Sequence, residues 1–279
     1  MECTGLWSAW ARRAAARCVL GGLLAGTLVL LAGVRPTAHS TWAATHGTNP
    51  AIFQLLTLSI ATGQAVVEGT AFFVASDGTA LTNSHVVYFV HSDPAHYRLI
   101  ALHGREFYGV TIVCTSTLAV HPKLEEVAYR PEIGRDVAEI KVGPWRVPGA
   151  ATVFRFTGGP EFLAHLGRLP NFPALQLGID PAPGTPVHVI GYGLIQERVK
   201  ITPWEQWTTE GVVKLVGPAK DGTPVFTISS LNAPRLGNSG SPVLGDGDLV
   251  VGILTWLSET DFSLSGGIAS SALKEPCAP

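Results

Sequence analysis

Gly237-Asn238-Ser239-Gly240-Ser241-Pro242 is the stretch from which the fold and the chemistry of this chain are most directly inferred. Gly237 and Gly240 permit a tight turn that side chains would block. Such a turn directs the backbone N–H groups of Gly237 and Ser239 into one space beside the Ser239 hydroxyl. There they would stabilise the oxyanion of an acyl-transfer intermediate. Because these are also common turn residues, an ordinary surface turn is the competing interpretation.

A nucleophilic serine needs a general base, and His85 has the most distinctive setting of the nine histidines. Residues 69–75 and 79–82 are β-prone segments separated by Asp77-Gly78, which predicts a β-hairpin. His85 follows the second strand of that hairpin, where a sheet can fix its position. Four later histidines lack metal-ligand spacing, so we interpret them as loop residues and predict no metal site: His91, His96, His103 and His121.

The base needs a carboxylate that fixes its tautomer, and Asp136 is the candidate. It opens the β-prone run at residues 136–142. Asp136 would accept the Nδ1–H of His85 and leave Nε2 free to take the proton of Ser239. A plain turn aspartate before a strand is the alternative reading. Asp93 competes because it lies eight residues from His85, although Ser92-Asp93-Pro94 is typical of a turn.

The three segments, in the order His, Asp, Ser, resemble the trypsin-like (chymotrypsin-fold) serine peptidases over about residues 66–275. Thr82–Val87 and residues 237–242 are most similar to bacterial HtrA/Deg peptidases and glutamyl endopeptidases. Three more segments are similar to a strand opening the second barrel, a strand flanking the substrate and a segment entering the final helix: 184–192, 250–256 and 266–274. The resemblance implies an all-β fold of two six-stranded antiparallel β-barrels with a short C-terminal helix.

The resemblance also assigns roles within a cleft between the two barrels. It implies that His85 is the general base, Asp136 its orienting carboxylate and Ser239 the nucleophile. Gly237 and Ser239 would supply the N–H groups of the oxyanion hole. Glu139 departs from the family pattern, which usually has an apolar residue there, and this weakens the assignment of Asp136.

Substrate-binding residues follow from the same resemblance. One wall of the pocket for the side chain preceding the cleaved bond would be formed by Ala233, Pro234, Arg235 and Leu236. Because this wall has no aspartate, a preference for lysine or arginine there is disfavoured. Small apolar side chains are the first expectation, and attraction of an acidic side chain by Arg235 is the alternative. Thr255 and Trp256 would flank the substrate, and Leu257 would narrow the cleft.

The sequence therefore predicts a serine endopeptidase that hydrolyses peptide bonds of exported or envelope proteins through an acyl-enzyme. The expected partner is a protein or peptide substrate, and no cofactor is predicted. A catalytically inactive binding protein with the peptidase fold is the alternative, and the presence of all three triad residues disfavours it. The net charge of −2 gives no indication of a nucleic-acid partner. The oligomeric state is left open.

The N-terminal 43 residues are predicted to be either a signal peptide or a membrane anchor. Three arginines precede the uncharged residues 18–34. As a helix this segment would extend about 26 Å, short of a hydrocarbon core of about 30 Å. A signal peptide is therefore favoured, with a membrane tether through residues 18–34 as the alternative. In either case the peptidase domain is expected outside the cytoplasm, in the periplasm or the extracellular space.

The rest of the chain is predicted to hold a linker at 44–50 and a trypsin-like peptidase domain at 51–275. The first barrel is expected at about 51–145 and the second at about 185–266, with a helical turn at Glu161–Leu166 between them. About 40 residues follow Ser239, and from this we expect no PDZ domain. Export permits a disulfide between Cys114 and Cys277, but the sequence leaves their pairing open.

Overall fold

The structure is a computed structural model, and it describes 13 stretches of the chain. They are residues 48–104, 106–116, 135–144, 153–156, 161–163, 165–167, 171–193, 205–230, 232, 234, 237–258, 261 and 263–277. They belong to one compact unit, Gly47–Pro279.

Six strands form the first barrel. They are β1 (Ile52–Ser59), β2 (Gln64–Phe73), β3 (Thr79–Thr82), β4 (Tyr97–His103), β5 (Glu106–Thr115) and β6 (Ala138–Gly143). Hydrogen-bonded neighbours follow the order β1-β4-β5-β6-β3-β2, and β2 pairs back with β1. Every pairing within this ring is antiparallel, and the pairing of β2 with β1 closes the sheet into a barrel.

The predicted hairpin is formed by β2 and β3. Phe72 lies opposite Leu81, and the N–H of Val74 donates to the carbonyl of Thr79 at 2.9 Å. Gly78 has a φ of +92°, and a Cβ there would lie 2.4 Å from the carbonyl oxygen of Val142. Only glycine fits this turn, because both the backbone conformation and the close approach exclude a side chain.

A helix that the sequence did not predict, α1 (Ser84–Ser92), follows the hairpin. It buries Val86, Val87 and Val90 against the first barrel. These β-branched residues have low helix propensity, so their pattern does not predict a helix. His91 lies in this helix and His103 ends β4, so the interpretation of these two residues as loop residues is wrong.

The passage between the barrels contains three short strands. They are β7 (Val153–Phe156), β8 (Glu161–Leu163) and β9 (His165–Leu166). β7 extends the first sheet by pairing with β2, β8 pairs with β7, and β9 pairs with β5. The helical turn predicted at Glu161–Leu166 is therefore wrong, because the strands of the first barrel offer this passage hydrogen-bonding partners.

Six further antiparallel strands form the second barrel. They are β10 (Pro186–Gly191), β11 (Trp207–Pro218), β12 (Pro224–Ser230), β13 (Pro242–Leu244), β14 (Val250–Leu257) and β15 (Leu264–Ala269). They close in the order β10-β11-β12-β15-β14-β13. One turn of 3₁₀ helix lies at Asp246–Asp248, and helix α2 (Ser270–Leu273) follows β15. The predicted fold of two six-stranded barrels and a short C-terminal helix is confirmed.

Aromatic side chains fill the first barrel. The ring of Phe73 lies 4.4 Å from that of Phe53 and 4.3 Å from that of Phe172. Phe172 comes from the passage between the barrels, so it closes one end of the first core. Burial of each such ring contributes about 1.5–3 kcal/mol of stability.

Another apolar cluster joins the two barrels. The first barrel contributes Ile52, Phe72 and Leu81, and the second contributes Leu244, Ile253 and Trp256. Because these side chains are buried on both sides of the junction, the barrels have a fixed relative position. The loops at their common cleft can therefore hold reacting groups in a constant geometry.

A disulfide joins Cys114 of β5 to Cys277, which follows α2. The two Cα atoms are 5.6 Å apart, although 163 positions separate the cysteines in sequence. This bond ties the C-terminal segment to the first barrel, and it resolves the pairing that the sequence left open.

No helix in the described part of the chain is sufficiently long and apolar to cross a membrane. The predicted signal peptide or anchor and the tether at 18–34 lie outside the described residues, and they stay predictions.

Candidate active site

His85 and Asp136 form a close pair at the end of the first barrel. His85 lies in the first turn of α1, and Asp136 lies two residues before β6. Nδ1 of His85 is 2.5 Å from Oδ2 of Asp136, and the backbone N–H of His85 donates to Oδ1 at 3.0 Å. The carboxylate thus holds both the ring and the backbone of the histidine. The side chain of Asp136 is 1% exposed and that of His85 is 14% exposed, so only the histidine reaches solvent.

Asn83 completes the support of Asp136, and the sequence did not single it out for a role. Its Nδ2 donates to the carbonyl of Asp136 at 2.8 Å and to Oγ1 of Thr255 at 3.0 Å. Thr255 belongs to β14, so this amide links the aspartate to the second barrel. Ser84 adds a hydrogen bond of 2.7 Å to the carbonyl of Val137. Both residues stand in the quoted motif beside His85, which is the signal that could have identified them.

The surroundings of His85 raise its pKa above the ordinary value of 6.5. Burial disfavours the imidazolium, but the charge of Asp136, its hydrogen bond and the charge of Glu68 outweigh that effect. The histidine therefore binds a proton more tightly than a free imidazole does. A group with this property is suited to take a proton from a hydroxyl and to pass it on.

Ser239 stands in a turn that glycines shape. Gly237 has a φ of +91° and Gly240 a φ of +84°. The first barrel is hydrogen-bonded to this turn through Thr70, whose N–H donates to the carbonyl of Ser239 at 2.8 Å. Oγ1 of Thr70 donates to the carbonyl of Gly237 at 3.0 Å. These bonds fix the turn against β2, and no local sequence signal indicates the part played by Thr70.

The N–H groups of Gly237 and Ser239 donate to none of the residues that the structure describes. A donor pair left unpaired beside a serine is what an oxyanion hole requires. No hydrogen bond joins the hydroxyl of Ser239 to the ring of His85 among the described residues. Such bonds often tighten only when substrate is bound. A Cβ on Gly69 would lie 2.8 Å from both the carbonyl oxygen of Ser239 and Cγ2 of Val86, so the segments carrying Ser239 and His85 converge there.

Replacement of Gly240 with alanine is expected to lower the free energy of unfolding by about 3 kcal/mol or more. The new Cβ would lie 2.1 Å from the carbonyl oxygen of Thr70, in addition to the cost of the positive φ. Gly222 is the matched control because it has the same φ of +84° and nothing within 4 Å. Gly222→Ala should cost about 1–2 kcal/mol. Urea unfolding measures both, and equal losses would contradict the packing argument.

Two doubts raised by the sequence are addressed by the structure. Asp93 is exposed and contacts His96, with Nδ1 and Oδ1 2.9 Å apart, so it is not the carboxylate held against His85. Glu139 follows buried Ala138 and precedes buried Ile140 in β6, and it is itself half-buried. Its side chain therefore lies on the outer face of the strand, where the alternation of side chains accommodates a charge.

The predicted substrate-binding residues fall into two groups. Thr255 and Trp256 are buried in β14, and Leu257 is half-buried at its end. Pro234 is buried in the passage that leads to the Ser239 turn. The other three wall residues, Ala233, Arg235 and Leu236, lie outside the described residues. The expected preference for small apolar side chains therefore stays a prediction.

Solved serine proteases share this fold. The Rv3671c protease from M. tuberculosis in its active form has a TM-score of 0.51 and 18% identity, with 82% of this chain and 80% of that chain covered. The serine endoprotease from Yersinia pestis has a TM-score of 0.51 and 16% identity, with 81% of this chain and 61% of that chain covered. The HtrA-type protease AlgW with a decapeptide has a TM-score of 0.52 and 17% identity, with 81% of this chain and 62% of that chain covered. The chain thus spans about three fifths of the last two proteins, and likeness at these identities establishes the fold.

The family is established by sequence. No curated protein is a match for the chain. The family model of the trypsin-like peptidase domain matches residues 69–253, which is about two thirds of the chain and includes His85, Asp136 and Ser239. The chain therefore belongs to the trypsin-like peptidase family and is a serine endopeptidase.

Proposed function

We propose that the chain hydrolyses peptide bonds of exported or envelope proteins through a Ser239-His85-Asp136 triad. The observation that supports the triad most strongly is the 2.5 Å contact between Nδ1 of His85 and Oδ2 of buried Asp136. Because Nδ1 is engaged, Nε2 is the ring nitrogen left to accept a proton. The N–H groups of Gly237 and Ser239, which donate to none of the described residues, supply the second requirement, which is stabilisation of negative charge.

The proposed reaction has two halves. Oγ of Ser239 attacks the peptide carbonyl while His85 takes its proton, and the N–H groups of Gly237 and Ser239 receive the developing oxyanion. His85 then gives the proton to the leaving amine, which produces the acyl-enzyme. In the second half, water attacks the acyl carbonyl while His85 takes its proton. His85 then returns the proton to Oγ of Ser239 as the ester bond breaks and the carboxylic acid leaves. Asp136 accepts the hydrogen bond from Nδ1 of His85 throughout and stabilises the charged imidazole.

Export is the second part of the proposal. The apolar segment at 18–34, preceded by arginines, supports a signal peptide or anchor. The disulfide between Cys114 and Cys277 also favours an oxidising compartment, because such bonds are rare in the cytosol. The solved relatives include an HtrA-type protease with a decapeptide.

A fluorophosphonate reagent tests the proposed nucleophile. We expect one adduct, on Ser239, identified by mass spectrometry of the digested protein. Its rate of formation should rise with pH with a midpoint above 6.5, because a raised pKa keeps His85 protonated, and unable to act as a base, to higher pH. Heat-denatured protein is the control for adventitious labelling. Modification of a different serine, or a midpoint below 6.5, would contradict the assignment.

A further inference from the structure

Glu68 occupies an irregular position in β2, immediately before Gly69 and Thr70, which contact the Ser239 turn. Leu55 of β1 lies opposite Gly69, whereas the next residue, Leu56, lies opposite Val67. Glu68 therefore has no partner on β1 and forms a β-bulge. Bulges redirect a side chain relative to the sheet and are common beside active sites.

The bulge lies next to the segments that carry the reacting residues. Gly69, which follows Glu68, packs against both the carbonyl of Ser239 and the side chain of Val86, the neighbour of His85. The charge of each of Glu68 and His85 affects the pKa of the other. Glu68 thus precedes by one residue the point where β2 meets the segments that carry Ser239 and His85.

The carboxyl group of Glu68 has no basic partner among the residues that the structure describes. It is half-buried, and no lysine or arginine among the described residues forms an ion pair with it. Burial raises its pKa above the ordinary value, against the opposing effects of the Thr57 hydroxyl and of His85. A carboxylate in such a place is costly to the folded protein unless a cation approaches it.

We propose that Glu68 is a specificity-determining residue that favours lysine or arginine immediately after the cleaved bond. The direction follows from the chemistry, because His85 must deliver its proton to the amine of that residue. The leaving residue therefore lies on the His85 side of Ser239, and the approach of Gly69 to Val86 brings the bulge at Glu68 to that side. A lysine or arginine side chain there would pair with a carboxylate that has no basic partner among the described residues. This inference rests on the proposed function.

Acyl transfer to amino-acid amides tests the proposal without knowledge of the natural substrate. p-Nitrophenyl acetate would form acetyl-Ser239 with release of p-nitrophenolate. An added amide then attacks the acetyl carbonyl through its α-amine, the new amide bond forms, and the bond to Oγ of Ser239 breaks. The amine proton passes through His85 to Oγ. Lysinamide and norleucinamide are the matched acceptors, because they have the same chain length and differ in one distant charge.

The wild-type protein at pH 8 and low ionic strength should prefer lysinamide over norleucinamide by about tenfold, which is the ratio expected for one partly desolvated charge pair. Added salt should reduce the ratio. Glu68→Gln should bring the ratio close to one, since it removes the charge at constant shape. Glu68→Lys should invert the preference, in favour of the amide of glutamic acid over that of glutamine. Thermal unfolding verifies that both variants are folded.

The outcomes separate this inference from the proposed function. If acetyl-Ser239 forms but lysinamide and norleucinamide partition equally, Glu68 does not select the leaving residue and the peptidase assignment stands. The same conclusion follows if the lysinamide preference survives in both Glu68 variants. If p-nitrophenyl acetate produces no adduct on Ser239, the proposed function fails and the inference fails with it.

Discussion

Replacement of Ser239 with alanine is expected to lower kcat on a cleavable peptide by about 10⁴-fold or more. The variant lacks the only atom that can form the acyl-enzyme in the proposed mechanism, while the rest of the turn is unchanged. The bonds from Thr70 to the carbonyls of Ser239 and Gly237 involve backbone acceptors, and alanine preserves them. The loss should therefore lie in chemistry rather than in folding. Steady-state kinetics on a quenched peptide, with circular dichroism for the fold, measures both.

Ser92→Ala is the matched control for this experiment. Ser92 is exposed at the end of α1, and its hydroxyl donates to the carbonyl of Phe89 at 3.1 Å. Its loss should leave kcat unchanged within about twofold, as expected of a surface site away from special features. A residual rate in Ser239→Ala above that of free water is also expected, because the N–H groups of the turn remain. Retention of more than about a tenth of the activity would remove Ser239 from the mechanism.

Local chemistry explains which parts of the molecule the sequence predicted. The hairpin at Asp77-Gly78 is fixed by its own residues, since the positive φ of Gly78 and its contact with Val142 require glycine. The turn at Ser239 is determined in the same way by Gly237 and Gly240. The two closed barrels are predicted by the resemblance to a family, which the order of the three motifs supports. These features can be read because they depend on short segments.

Other features depend on residues far apart in the chain. Thr70 donates to Gly237 across 167 positions, and Asn83 donates to Thr255 across 172. Asn83 stands in the motif at Thr82–Val87, but no local pattern shows that these two side chains bond to such distant partners. Helix α1 was missed for a related reason, because burial of its valines in the first core overrides their preference for strands. The bulge at Glu68 is set by the register between β1 and β2, which only the folded sheet defines.

Replacement of Asp136 with asparagine is expected to lower kcat by about 10⁴-fold at neutral pH. The carboxylate accepts two hydrogen bonds from His85, one from the backbone N–H and one from Nδ1–H. Asparagine has one oxygen for these two donors. If that oxygen keeps the backbone N–H, the amide NH₂ faces Nδ1, which must then accept. The ring proton moves to Nε2, so His85 can no longer take the proton of Ser239.

Asp93→Asn is the matched control, because it is the same substitution made at the competing carboxylate, whose side chain is exposed. It contacts His96, so its loss should leave kcat within about twofold of the wild-type value. Nitrogen-15 chemical shifts of His85 provide a second readout, since the tautomer should change in Asp136→Asn and not in Asp93→Asn. If both variants lost activity equally, or if Asp136→Asn kept the Nδ1–H tautomer and its activity, Asp136 would not orient the base. A loss confined to Asp136→Asn, with the proton moved to Nε2, ties catalysis to the tautomer that this buried carboxylate imposes.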